Sequence, residues 1–199
     1  MMGRWLLFAA AELLLSLIAV LLSPILALCA VTRESHPYCS AKGPRQYLVG
    51  WLHLFSTHDD GVDAGWFGGH YDDRAPKGWP QKARDGSKLY RWLLRVWWIN
   101  RNTAYGFAHY FLGFDRGEKS STRVIAQRGA WDTSSTNWLV RVDTNAKGQK
   151  AFQVRAQLYF TKTRYLRVNF GWKLDWEPAL VQIVVSLNPF KAWKEATSQ

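Results

Sequence analysis

The apolar positions of this chain change period twice, and each period names an element. From Trp5 to Val31 they do not alternate at all: the only charge is Glu12, and Leu13 to Val31 is 19 residues without one. A run of that length and composition suffices to cross a bilayer as a helix. It is too long for the apolar core of a cleavable secretory signal. Leu28 stands where a lipoprotein cysteine would need a small residue before it, so Cys29 reads as a small apolar side chain of the helix. Pro24 predicts a bend in a single pass. A charge at the bilayer centre costs about 2.5 to 3.5 kcal/mol, which puts Leu13 to Val31 in hydrocarbon and Arg4 to Glu12 near the headgroups.

Ser87 to Asn100 has the second period. Leu89, Trp92, Leu93, Val96 and Trp97 recur at helical spacing, with Lys88, Arg91 and Arg95 on another face. Such a basic, Trp-rich amphipathic helix either packs its apolar side on its own domain or lies in a membrane surface through Lys88, Arg91, Trp92, Arg95, Trp97 and Trp98.

The third period is two. Phe152, Val154, Ala156, Leu158 and Phe160 alternate with Gln153, Arg155, Gln157 and Tyr159. Leu166, Val168, Phe170 and Trp172 repeat the pattern beyond Thr161 to Arg164, predicting a β-hairpin with one buried apolar face. Trp138 to Asp143 and Thr122 to Gln127 predict further strands, and Ala179 to Leu187 a last strand or docking segment, for an antiparallel meander of about three to five strands. Arg141, Arg155 and Arg167 project from the polar side, which is either a solvated face or an anion-binding one. Asp72 to Ser87, marked by proline and glycine, reads as an exposed connection.

Together these elements predict an α+β chain. A membrane anchor occupies residues 1–32, a loop-rich His/Asp segment 33–87 forms one domain with the helix and antiparallel sheet of 88–188, and a tail covers 189–199. Arg33, Lys42 and Arg45 after the apolar run outweigh Arg4 before it, so the positive-inside rule places the bulk of the chain in the cytoplasm. Two cysteines make no disulfide framework and suit a reducing compartment.

A net charge of +11 calls for an anionic partner, for which lipid headgroups beside the anchor come before nucleic acid. Twelve tryptophans exceed what the core of a domain this size can hold, and indole prefers sites with one apolar and one wet side.

Candidate chemistry gathers in one place. His53, His58, Asp59, Asp60, Asp63, His70, Asp72 and Asp73 are the residue types that bind a divalent ion, which with an open coordination position would activate water. Their spacing matches no established ligand motif, and the alternative is a turn-rich loop whose aspartates bond nearby backbone. No Walker loop, dinucleotide glycine pattern or G-x-S-x-G elbow occurs, and His109 among Tyr105, Phe107, Tyr110 and Phe111 reads as a packed core histidine.

Three blocks carry a likeness: Gly50-Trp51-Leu52-His53-Leu54-Phe55 running into Asp59-Asp60-Gly61-Val62-Asp63, then Trp98 to Phe107, then Arg164 to Lys173. Over Leu48 to Lys173 the chain resembles an uncharacterised family of small, membrane-associated proteins of tailed bacteriophages. Asn102 to Phe107 is the most specific part. Thr103 stands where that family has proline, and Asp60-Gly61 where it has Asn-Pro, so no ligand geometry carries over to the acidic turn. The resemblance implies a phage origin and a host inner-membrane location, and transfers no catalytic residue. The expectation is thus a phage-encoded, membrane-anchored accessory protein that acts by binding anionic lipid headgroups or a host membrane protein, without a cofactor. Its rivals are a membrane-tethered metal-dependent hydrolase using the His53 to Asp73 cluster and a basic nucleic-acid module at the membrane.

Overall fold

The structure, a computed structural model, describes residues 2–36, 43–57, 59–67, 75–117, 120–129, 136–161, 164–174 and 179–192. Its class is α+β. An N-terminal apolar helix is followed by short helices and antiparallel sheets. Residues Ala10–Phe111 form one compact unit, and Met1–Ala9 with Leu112–Gln199 form another.

Helix α1 (Met2–Leu26) ends before the apolar run does. Pro24 has no N–H to give the Val20 carbonyl, and the Ser23 hydroxyl donates to that carbonyl instead, at 2.9 Å. Leu28 and Cys29 close the end with tight bonds to the carbonyls of Ile25 and Leu26. Val31 and Thr32, β-branched, then extend. They lie in β1 (Ala30–Arg33), which pairs antiparallel with β2 (Arg45–Leu48), so Val31 sits opposite Tyr47 rather than in the predicted helix.

In the first unit, Ala19, Ser23 and Ala27 recur every four residues along one line of α1, each at most 1% exposed. Side chains of α3 (Lys88–Arg101) reach that end of α1: Trp92 Nε1 donates to the Pro24 carbonyl at 3.0 Å, Arg95 Nη1 to that of Ala27 at 2.9 Å, and Thr103 just past α3 bonds Ser16 at 3.0 Å. Leu48, Phe55, Val62, Trp98 and Ile99 complete the core between these helices and the loops. A 3-10 turn (Gly50–Phe55) supports α4 (Tyr105–Tyr110); a Cβ on Gly106 would lie 2.7 Å from the Leu54 backbone, and Phe55 meets Phe107 ring to ring at 5.2 Å. Two of the three blocks that carry the family likeness therefore pack on each other. Within the predicted connection Asp72 to Ser87 lies a short helix, α2 (Trp79–Arg84), started by Pro80 in its first turn, where a missing N–H costs nothing.

The second unit holds a five-stranded antiparallel sheet, β4 (Ser121–Arg128), β5 (Asn137–Thr144), β6 (Lys150–Tyr159), β7 (Arg164–Trp172) and β9 (Ile183–Ala192), in that order. The strands fall where the alternation predicts them. The last one reaches Ala192, into the predicted tail. A small pair, β3 (Phe114–Asp115) and β8 (Leu180–Val181), sits apart in its own sheet. Trp5, in the first turn of α1, packs edge-on against Phe152 and Phe170 and donates Nε1 to the Gly171 carbonyl at 3.3 Å. Gly171 has φ +104°, and a side chain there would collide with the Phe152 carbonyl.

Candidate functional site

Asp60 and Asp63 converge, but on a cation. Arg45 Nη2 reaches Asp60 Oδ1 at 2.6 Å and its Nε reaches Asp63 Oδ1 at 2.9 Å, while the Gln46 backbone N–H donates to Asp63 Oδ2 at 3.1 Å. Burial pushes both carboxyls above their ordinary range, against the pull of Arg45. Their role in this geometry is to clamp the turn 60–63 onto β2. His53 Nδ1–H donates to the Gly50 carbonyl at 2.7 Å, with its ring beside His36, and Asp59 is exposed. His58, His70, Asp72 and Asp73 lie outside the described residues. Among the described residues, no three His, Cys, Asp or Glu side chains gather as metal ligands would. His109 is buried, edge-on to Tyr110.

The basic helix packs. Trp98 is only 2% exposed and faces the core, which rules out the outward orientation a membrane contact requires, and the buried set is Leu94, Trp98 and Ile99 rather than the stripe through Leu89. Leu89 is exposed. Arg95 is half-buried and held by Gln46 Oε1 at 2.7 Å besides Ala27, its charged form disfavoured by burial. Arg91 Nε donates to the Ala83 carbonyl at 2.8 Å. Trp92 and Trp97 are half-buried, and Lys88 is exposed. The helical period is right, but α3 has α1 on one side and the 61–66 turn on another, so its aromatic side chains turn inward.

One open apolar surface belongs to α1. Leu13, Leu14, Leu17, Leu21, Ile25 and Leu28 are between 56% and 71% exposed, opposite the Ala19–Ser23–Ala27 line. Met2–Leu26 is long and apolar enough to cross a membrane. Nearby in the same unit, Trp51 and Phe111 are exposed at the mouth of an apolar cavity of about 490 Å³, which Gly50, His53, Leu54 and Tyr110 also line.

The five-stranded sheet departs from the expectation on its polar side, which is covered as well as much of the apolar one. Arg141, Arg155 and Arg167 do share the polar face, on a diagonal across β5, β6 and β7: Arg155 is opposite Leu139 and Asn169, Arg167 opposite Gln157, and Arg141 opposite Gln153. That face is not solvated. Asn137, Asp143 and Gln153 are 0% exposed, and Gln157 and Asn169 are buried. Across strands Asn137 Nδ2 donates to Gln157 at 3.0 Å and Gln153 Nε2 to Asn169 at 3.3 Å, which offsets part of the cost of burying these amides. Asp143 accepts from Arg116 at 2.6 Å and from Thr122 at 3.0 Å. The three arginines are half-buried, with Arg141 donating to the Leu174 carbonyl at 3.3 Å. On the other face Phe152, Ala156, Trp172 and Ile183 are buried, while Leu158 is 39% and Leu187 63% exposed.

The chain belongs to a family of unknown function, DUF7338, whose model it matches over residues 1–195. No curated protein and no solved structure matches it. The matched residues include the whole of α1, so the apolar helix is part of what the family model describes. It assigns no activity, and the phage origin stays an implication of the resemblance alone.

Proposed function

We propose that this protein is a membrane-surface accessory protein that acts by binding rather than by catalysis, with α1 lying in the membrane interface instead of crossing it. One observation carries the reading: α1 has one face packed on its own domain from Leu15 to Ala27 and the other covered with exposed leucine. To span the bilayer, this stretch would have to leave α3 or take it along. α3 brings Lys88, Arg91, Arg95 and Arg101, and each charge at the bilayer centre costs about 2.5 to 3.5 kcal/mol. Lying flat keeps the packing and gives the leucines to lipid, with the domain standing where an interfacial helix usually has its polar face. The inner membrane of a phage host is the compartment that the resemblance suggests, and its cytoplasmic leaflet the one that Arg33, Lys42 and Arg45 favour.

The test is topological. Cysteines introduced singly at Gly3 and Glu34, in a background with Cys29 and Cys39 replaced by serine, should react with a membrane-impermeant reagent from the same side of the membrane. Labelling of the two positions from opposite sides would show that α1 spans. Leu17→Asp with Leu21→Asp should release the chain from vesicles in flotation while leaving its circular dichroism unchanged.

A further inference from the structure

We infer that the open end of the apolar face of the five-stranded sheet, around Leu158 and Leu187, is a second lipid-contact surface, resting on the hydrocarbon of an anionic bilayer with cations set round its edge. The inference rests on the membrane reading of α1 and adds a surface to it.

The polarity of the sheet is the first ground. In a water-soluble antiparallel sheet with one covered face, the apolar side is covered and the polar side is wet. Here the central polar positions Asn137, Gln153, Gln157 and Asn169 are buried and bonded to one another, whereas Leu158 and Leu187 on the opposite side are exposed. Around those two, Trp138, Val140, Val154 and Val168 are only half-buried. The register puts all of these on one face: Trp138 opposite Ala156, Val140 opposite Val154, Ala156 opposite Val168, and Val168 opposite Leu187. The same face is covered at its other end, where Phe152, Trp172 and Ile183 are buried, and Ala156 is buried between its neighbours, so the open apolar patch is the end that carries Leu158 and Leu187. Apolar side chains facing outward are the arrangement of strands whose outer solvent is lipid.

Charge at the rim chooses the occupant. Arg123 and Arg128 on the edge strand β4, Lys150 at the start of β6 and Arg164 at the start of β7 are all exposed. Among the residues of the five strands, the one carboxylate is Asp143, which lies on the polar face and is bonded to Arg116. A second copy docked face to face through a two-fold axis would set these cations against their own kind. Headgroup phosphates would satisfy them, at about 1 kcal/mol for each cation near an anionic surface. Continuity is the third ground. Trp5 lies on this same face over Phe152 and Phe170, and the next residues of α1, Leu6 and Leu7, are 57% and 69% exposed.

The experiment uses the full chain with vesicles of phosphatidylglycerol and phosphatidylcholine. Single cysteines replacing Leu158, Leu187, Leu21 on α1 and Gln127 carry an environment-sensitive fluorophore, again with Cys29 and Cys39 as serine. Gln127 is exposed and pairs with Leu139, so it reports the other side of the sheet. The labels at 158, 187 and 21 should shift to the blue and lose at least half their intensity to a nitroxide on the acyl chain, and the label at 127 should do neither. Arg128→Glu with Arg164→Glu should reduce quenching at 158 at least twofold and leave 21 unchanged. With the unmodified chain, a diazirine-bearing lipid should give adducts within 138–142, 154–158 or 185–187. Quenching at 21 without quenching at 158 and 187, and without those adducts, would overturn this surface and leave the α1 reading standing. Quenching nowhere would overturn both. A blue shift at 158 and 187 that follows protein concentration and ignores lipid would assign the face to a second copy.

Discussion

Arg45 holds Asp60 and Asp63 at once, with Nη2 on the first and Nε on the second, so one guanidinium closes the turn 60–63 against β2. Both carboxyls are mostly buried and would repel each other without it. Removing one partner of such a cluster strands charge in low dielectric, which costs about 3 to 5 kcal/mol. Arg45→Met should therefore lower the urea midpoint of the detergent-solubilised chain substantially. Adding Asp60→Asn and Asp63→Asn to that variant should recover most of the loss. Equal stability of the single and triple variants would show that the cluster does not act through charge.

His36 sets a pH dependence. It is 6% exposed, with its ring 5.3 Å from those of Tyr47 and of His53. Burial, reinforced by positive charge at His53 and Arg33, lowers its pKa below the ordinary 6.5. A base that resists protonation when folded contributes stability in full above its unfolded pKa and loses it as the pH falls through the folded one. The melting temperature should accordingly drop on acidification from about pH 7 to about pH 5. His36→Gln should flatten that slope, and an unchanged slope would assign the acid sensitivity elsewhere.

Adjacent positions on β6 should respond in the order opposite to their hydrophobicity. Gln157→Ala removes the acceptor of the Asn137 Nδ2 donor at a fully buried residue, and losing a buried hydrogen bond in this way costs about 1 to 3 kcal/mol. Leu158→Gln changes a side chain that is 39% exposed and should cost about 0.5 kcal/mol or less in thermal melts of the detergent-solubilised chain. On vesicles the order should reverse, with Leu158→Gln weakening lipid contact and Gln157→Ala leaving it intact. A larger loss from Leu158→Gln in detergent would show that the apolar face is the covered one.

The element boundaries were largely legible because they are local. Alternation from Phe152 to Trp172 placed β6 and β7, and helical spacing placed α3, within a residue or two of where they lie. α2 was missed because the proline and glycine that mark a turn also start a short helix at Pro80. The end of α1 was read too late because Pro24 forfeits a hydrogen bond that hydropathy does not register. In the His/Asp segment, composition made the aspartates visible, while Arg45, their partner, lies 15 and 18 residues away and was legible only as a juxtamembrane charge.

What the sequence by itself determined is which residues share a side: the apolar length of α1, the two faces of each strand, and Arg141, Arg155 and Arg167 together on one of them. What only the tertiary structure decided is which side is covered. A strand's period assigns each residue to a face, but whether that face meets water depends on segments far away in the chain. Trp5 reaches Gly171 across 166 positions, Arg95 reaches Ala27 across 68, and Asn137 reaches Gln157 across 20. Burial is a property of such pairs, so no pattern confined to one segment carries it.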